Sequence, residues 1–350
     1  MVATGAPRTA INLPSPSWLG LSLRVGGLLL GLVAAGVVAL LSLRFGSLNI
    51  KTADAWNAIF AYDTGSFEQT VVRSLRVPRT IIALGVGSCL AVAGASMQGV
   101  TRNPLADPSI FGVSSGASFA IAISVHYLGL DSPQEYVWLA FAGALATSAL
   151  VFAVGSAGRN GATPVKLALA GVVISALLGS WTSALLLIDR ETLDSLRFWL
   201  AGSVAGRELS TFWTVAPFLL GGAVACLLLG HQLNALSLGD DTARALGVRT
   251  TRIRLITSFL VVMITGAAVS TAGPIAFVGL AIPHVVRSIV GADYRWVLPY
   301  SFVFGAVFLT ASDILGRIVM SPSEIQVGIV TAVFGGPFLV YLARQRSVAS

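Results

Sequence analysis

The stretch VGGLLLGLVAAGVVALLSL, from Val25 to Leu43, holds nineteen residues without a charge. A bilayer's hydrocarbon core needs about 20 mostly apolar residues in a helix, so this stretch reads as a membrane span. It is too long for a signal-peptide apolar region and has no small-residue cleavage site, which marks it as a retained helix. Its apolar residues are contiguous rather than alternating, which argues against a β-barrel strand. Working outward, nine further runs of the same character follow: Thr80 to Val100, Ile110 to Leu130, Val137 to Val154, Leu167 to Ile188, Phe212 to Leu229, Ile253 to Val269, Pro274 to Val290, Val297 to Val319 and Val327 to Leu342. The composition agrees, with 55% hydrophobic and 11% charged residues among 350 and a mean hydropathy of +0.84. Soluble domains carry about 25% charged residues, so a soluble enzyme is excluded.

The fold expected is all-α and polytopic, with about ten transmembrane helices and both termini in the cytoplasm. It divides into a cytoplasmic segment 1–24, a single ten-helix domain 25–343 and a tail 344–350, with a cytoplasmic loop at 231–252. The orientation follows from the positive-inside rule. With the N-terminus inside, thirteen of the 22 basic residues are cytoplasmic: Arg8, Arg24, Arg102, Arg159, Lys166, Arg244, Arg249, Arg252, Arg254, Arg287, Arg295, Arg344 and Arg346. Only Asp107, Asp240, Asp241 and Asp293 accompany them, giving +9 inside and −2 outside. Positive charge scattered in ones and twos between apolar runs suits a membrane rather than nucleic acid. Outside the spans, the segment Arg44 to Arg79 carries Trp56 and three clustered arginines, Leu193 to Val204 is amphipathic, and Leu233 to Arg252 reads as two short helices broken at Gly239 and Gly247.

The lysines are Lys51 and Lys166, and neither completes the glycine-rich Walker A pattern, so this chain does not hydrolyse ATP by that route. Cys89 and Cys226 lie far apart in apolar runs and read as small core hydrophobes. Gly112-Val113-Ser114-Ser115-Gly116 matches the nucleophile-elbow pattern of hydrolases. In an apolar run, however, its glycines serve better as a close-packing surface. His284 has no second metal ligand beside it. Asp313 and Arg317, four apart on one helical face, can neutralise each other near the outer interface, which favours pairing over ion coupling. The breaks at Asn103-Pro104, Asp107-Pro108, Gly273-Pro274 and Gly335-Gly336-Pro337 put irregular backbone at or near membrane depth, tolerated only in protein or beside a cavity. Gly171, Ser175 and Gly179 form a small-residue face on the fifth run that suits pathway lining.

From Arg76-Val77-Pro78-Arg79 onward, the chain resembles the FecCD-type permeases. The resemblance runs through Gly94-Ala95-Ser96-Met97-Gln98, Asn103-Pro104-Leu105-Ala106-Asp107-Pro108, Phe198-Trp199-Leu200-Ala201-Gly202-Ser203, Gly273-Pro274-Ile275-Ala276-Phe277 with Ile282-Pro283-His284, and Gly335-Gly336-Pro337-Phe338. It implies the membrane subunit of an ABC importer for ferric siderophore, haem or cobalamin. The partners implied are a second permease subunit, identical or paralogous, two ATPase subunits that bind ATP and Mg, and an extracytoplasmic substrate-binding protein. No cofactor is implied in this chain, and the location implied is the bacterial cytoplasmic membrane. The resemblance gives Arg76, Arg79 and Arg317 as the docking site for the binding protein. It gives Leu238, Gly239, Asp240, Asp241, Ala243, Arg244, Leu246 and Gly247 as the coupling helices that meet the ATPase. It also places the inner gate at Leu105 and at Thr163, Pro164 and Val165, where small hydroxyl residues are usual in the family. The expected function is ferric-siderophore import; an ion-coupled transporter relying on Asp313 and an intramembrane hydrolase using Ser114 are the rivals.

Overall fold

The computed structural model describes residues 17–48, 50–130, 132–157 and 163–347, and these are helical without a strand. Arg8 and Arg159 of the charge reading lie outside the described residues. The first span is α1 (Ser17–Arg44). Two short helices, α2 (Thr52–Phe60) and α3 (Phe67–Val71), and a π-helical turn (Val72–Arg76) lead into α4 (Val77–Thr101). A 3-10 turn (Pro108–Phe111) precedes α5 (Val113–Leu128), followed by α6 (Pro133–Ser156), α7 (Pro164–Ile188), α8 (Arg190–Leu200) and α9 (Leu209–Leu228). The remainder is α10 (Gly230–Ser237), α11 (Asp240–Ala245), α12 (Thr250–Ala272), α13 (Val278–Val290), α14 (Tyr294–Val319) and α15 (Val327–Ser347).

Seven helices, α1, α4, α6, α7, α9, α12 and α14, are long and apolar enough to cross a bilayer, and α5, α13 and α15 supply three shorter apolar helices. The ten match the ten runs in order. Helix α4 is the most enclosed span, packed by α9, α12, α13 and α14. In lipid the hydrophobic effect does not drive helices together, so contact depends on close packing of small residues. A Cβ added at Gly94 would lie 1.8 Å from the carbonyl oxygen of Gly279 in α13, and one at Gly87 would lie 2.4 Å from that of Gly305 in α14. The backbones touch because these positions have no side chain.

Most helices extend a few residues beyond their apolar runs, but two begin later than the sequence expectation. Helix begins at Val113 rather than Ile110, and at Val278 rather than Pro274. With 16 and 13 residues, α5 and α13 rise about 24 and 20 Å, short of a roughly 30 Å hydrocarbon core. The missing depth is taken up by irregular backbone at 103–112 and 273–277. Asp107, Ser109, Pro274, Ile275 and Gly279 line one cavity of about 70 Å³ beside Leu90, in the middle of α4. Both breaks therefore reach deep into the bundle, lining a cavity as irregular membrane backbone must. The carbonyl of Ala272 accepts from the Ser203 amide at 2.8 Å, and Asp107 accepts from the Ser109 amide at 2.8 Å. The suspected break in the tenth run is absent. Helix α15 runs through Gly335-Gly336-Pro337, where Gly335 admits the Phe277 ring: a Cβ there would sit 2.2 Å from Cγ.

Candidate functional site

Two polar constellations occupy opposite ends of α4. At its N-terminal end the π-helical turn and the first turn of α4 carry Arg76 and Arg79 on successive turns, and the last turns of α14 bring Asp313 and Arg317 onto one face. Arg79 donates from Nε to both Asp313 oxygens at 3.0 Å and from Nη2 to Oδ1 at 2.8 Å. Its Nη1 reaches Glu324 at 2.6 Å. Arg317 Nη2 lies 3.0 Å from the other Asp313 oxygen. Three guanidiniums against two carboxylates leave one excess positive charge, and the C-terminus of α1 absorbs it. Arg317 donates to the carbonyls of Ser42 and Phe45, both at 2.9 Å, and to the Ser42 hydroxyl at 2.6 Å. Arg76 donates to the carbonyls of Leu43, Arg44 and Leu48. The last carbonyls of a helix lack intrahelical partners and carry its negative dipole end, which suits guanidinium groups.

This placement corrects the picture of an exposed arginine face. Arg76 and Arg317 are only 5% and 1% exposed, and their N–H groups are taken up within the chain, by the end of α1, the residues just after it and Asp313. Arg79 and Glu324 are the accessible pair, with side chains 12% and 30% exposed. The pairing of Asp313 with Arg317 anticipated from sequence is present, and Arg79 completes it.

At the other end, α10 and α11 are the two short helices read from the sequence, separated by Gly239 (φ +104°) and closed by Gly247 (φ +82°). Those left-handed values favour glycine, which has no Cβ to clash. The backbone of the pair is held by three neighbours. Asn234 in α10 donates to Asp293 at 2.6 Å and accepts from the Tyr294 amide at 2.7 Å, fastening α10 to the start of α14. Asp240 at the start of α11 accepts from Arg254 of α12 at 2.7 Å and from Arg102 at the end of α4. Hydrogen bonds from Arg295 and Asn234 hold the Asp293 carboxyl below the usual carboxylate range. Of the coupling residues, Leu238 and Leu246 are each 62% exposed and Asp241 and Arg244 also face outward. Ala243 is a correction, because it is fully buried beneath α11. The result is an exposed apolar pair on a backbone pinned to α4, α12 and α14.

The expected gate and pathway residues fall in two groups. Leu105 is exposed, with its amide held by the Asn103 side chain at 3.0 Å, and Val165 is exposed in the first turn of α7. Thr163 caps α7 by accepting from the Lys166 amide at 3.3 Å, and Pro164 is its first residue. Gly171 is packed within the subunit, since a Cβ there would lie 1.8 Å from the Ile110 carbonyl oxygen, and Ser175 borders Gly112. Only Gly179 of that small-residue face opens outward. The open face of α7 is apolar, with Leu169, Val172, Val173, Leu177 and Trp181. Ser114 shows no catalytic geometry: His126 lies twelve residues along α5, about 18 Å away, and bonds Asp189 at 2.9 Å. Gly116 instead packs against Gly143 and Thr147 of α6.

A sequence model of the FecCD transport family matches residues 33–345. This chain belongs to that family. FecCD chains are membrane transport subunits rather than enzymes. The chain is 44% identical over 297 residues to the "Probable siderophore transport system permease protein YfiZ" of Bacillus subtilis, covering 84% of this chain and 89% of that one. It is 43% identical over 327 residues to the "Ferric enterobactin transport system permease protein FepD" of Escherichia coli, covering 93% and 96%. It is 36% identical over 335 residues to the "Hemin transport system permease protein HmuU" of Yersinia pestis, covering 94% and 97%. Among solved structures, a metal-chelate type ABC transporter in an inward-facing conformation superposes with a TM-score of 0.77 at 31% identity, covering 94% of this chain and all of that one.

Within this FecCD chain, sequence reasoning missed Ser42, Glu324, Asn234 and Asp293 as working parts of the two ends. Asp293 carries a legible signal, a helix-capping residue before α14 whose side chain accepts from the Arg295 amide at 3.0 Å. Its partner Asn234 is 59 residues away, and no local pattern announces it.

Proposed function

We propose that this chain is the permease subunit of an ABC importer that carries a ferric siderophore into the cytoplasm. The observation that carries the reading is the α10–α11 pair, which exposes Leu238 and Leu246 beside Asp241 and Arg244 on its free face yet is tied to three spans. A chain without a Walker A motif depends on a partner for ATP hydrolysis, and this pair is the element suited to receive a push from it. ATP and Mg belong to two ATPase subunits on the cytoplasmic side, where the positive-inside excess of basic residues also lies. A second permease subunit packs against the open apolar face of α7, and Gly179 borders the pathway between the two. Siderophore ranks ahead of haem because the siderophore permeases YfiZ and FepD are 44% and 43% identical and the hemin permease HmuU is 36% identical.

At the arginine end, which faces outward in the bacterial cytoplasmic membrane, Arg76 and Arg317 keep α1, α4 and α14 in shape. Arg79 makes the direct contact with the binding protein, exchanging the partly exposed Glu324 for a carboxylate of that protein. The irregular segments at 103–112 and 273–277 and the gate residues Leu105, Thr163, Pro164 and Val165 lie where the bundle can open without unwinding a long helix. The test is uptake of a ferric siderophore in vesicles that contain the permease with and without its ATPase. Uptake only when the ATPase and ATP are present supports the reading. Uptake driven by an ion gradient alone contradicts it.

A further inference from the structure

The short α5 leaves a space behind it. Ahead of this helix's start at Val113, the 3-10 turn Pro108–Phe111 packs against both α6 and α12. A groove of about 430 Å³ opens there, lined by Phe111, Leu145, Phe152, Leu255, Phe259 and Val262. Its lining is almost wholly apolar, and Leu255 and Phe259 are 47% and 61% exposed, so the groove opens on the surface of the subunit. On α12 the lining residues recur at 255, 258, 259 and 262, which is one helical face. Arg252 stands three residues before Leu255 on that face, about one turn nearer the membrane surface. It is exposed, and among the described residues neither it nor Arg249 has an ion pair, whereas nearby Arg254 is occupied by Asp240. The first turn of α12 also has no side-chain cap, and its positive dipole end lies beside Arg252.

We propose that this groove is a binding site for an anionic phospholipid of the adjoining leaflet, with an acyl chain between α6 and α12 and the phosphate at Arg252 and the start of α12. The two halves of the site match a lipid's two chemistries in the order a bilayer presents them: apolar toward the membrane centre, cationic at the surface. Basic positions beside a membrane attract acidic lipids, and each contributes about fivefold to that preference. The proposal needs only the membrane-embedded fold, so it stands or falls separately from the choice of transported ligand.

The purified transporter in detergent, titrated with phosphatidylglycerol and with phosphatidylcholine of the same acyl chains, provides the test by native mass spectrometry. Phosphatidylglycerol is expected to bind about fivefold more tightly. Arg252→Ala should abolish that preference while leaving weak binding of both lipids, and Arg252→Lys should restore it. Ser258→Trp, which fills the groove, should displace the lipid from a protein whose elution is unchanged. A photoreactive residue at position 259 should give a lipid adduct in membranes. Equal binding of the two lipids, a preference that survives Arg252→Ala, or a protein rather than lipid adduct at position 259 would overturn the proposal. If Ser258→Trp does not fold, the Arg252 pair and the adduct still decide it.

Discussion

The two ends of α4 carry similar charged residues and use them in opposite ways. At the arginine end, Arg76, Asp313 and Arg317 are buried and bonded within the chain, to one another or to carbonyls at and just beyond the end of α1, leaving Arg79 and Glu324 at the surface. At the α10–α11 end, the polar side chains Asn234, Asp240 and Asp293 fasten backbone to neighbouring spans, while Leu238, Asp241, Arg244 and Leu246 face outward. Charge at a membrane protein's end therefore does not by itself identify a docking surface. What distinguishes the ends is whether the donors are spent within the chain or left for a partner.

The largest effect is expected from breaking the inward-turned network. Asp313→Ala leaves Arg79 and Arg317 buried without their shared carboxylate, a change that typically costs about 3 to 5 kcal/mol. Thermal unfolding in detergent should fall accordingly, and Asp313→Asn should fall less. If Asp313→Ala unfolds like the wild type, the network is not structural. On the opposite end, Leu246→Asp should leave unfolding unchanged and weaken ATPase binding about tenfold, the scale expected when a leucine loses its buried contact. Loss of fold in that variant would show Leu246 to be internal packing. Smaller again is Glu324→Gln, which frees Arg79. Because the pair is partly exposed, its net worth is about 0 to 1 kcal/mol, and affinity for the binding protein should rise by up to about fivefold at low salt. A fall in affinity would mean that Glu324 itself is the contact.

The smallest effect concerns pH. Asp189 caps α8, and its bonds to His126 and Thr192 lower its pKa from 3.8 to about 2. A carboxylate with a depressed folded pKa stabilises above its unfolded value, so this contribution is full above pH ~4 and is lost as pH falls toward 2. Ordering of α8, followed by tryptophan fluorescence from Trp199, should loosen over that window, and Asp189→Asn should flatten the response.

Much of this was legible in the sequence, and the rest was hidden for identifiable reasons. Apolar run length announces spans, so the ten helices were countable. Gly239 and Gly247 announced the ends of α11, because glycine is favoured where φ is positive. The starts of α5 and α13 were misplaced because Ile110 and Ile275 are as apolar as the helices that follow. Irregular backbone inside a membrane protein is chosen by packing against α4 and α7 rather than by composition. Burial of Arg76 and Arg317 is invisible for a related reason: apart from the Asp313 pairing, their partners are mostly backbone carbonyls at and just beyond the end of α1, which leave no trace in residue identity. Gly171 looked like pathway lining and is an internal contact, since a small residue serves either purpose.

Work done on α10–α11 is expected to reach the spans through its pinned backbone. The direct measurement is ferric-siderophore uptake per ATP hydrolysed in proteoliposomes holding the complete importer, compared between wild type and Asn234→Ala, which unfastens α10 from α14. In the variant ATP hydrolysis is expected to persist while uptake per ATP falls several-fold. An unchanged ratio, or uptake that continues without ATP, would contradict it.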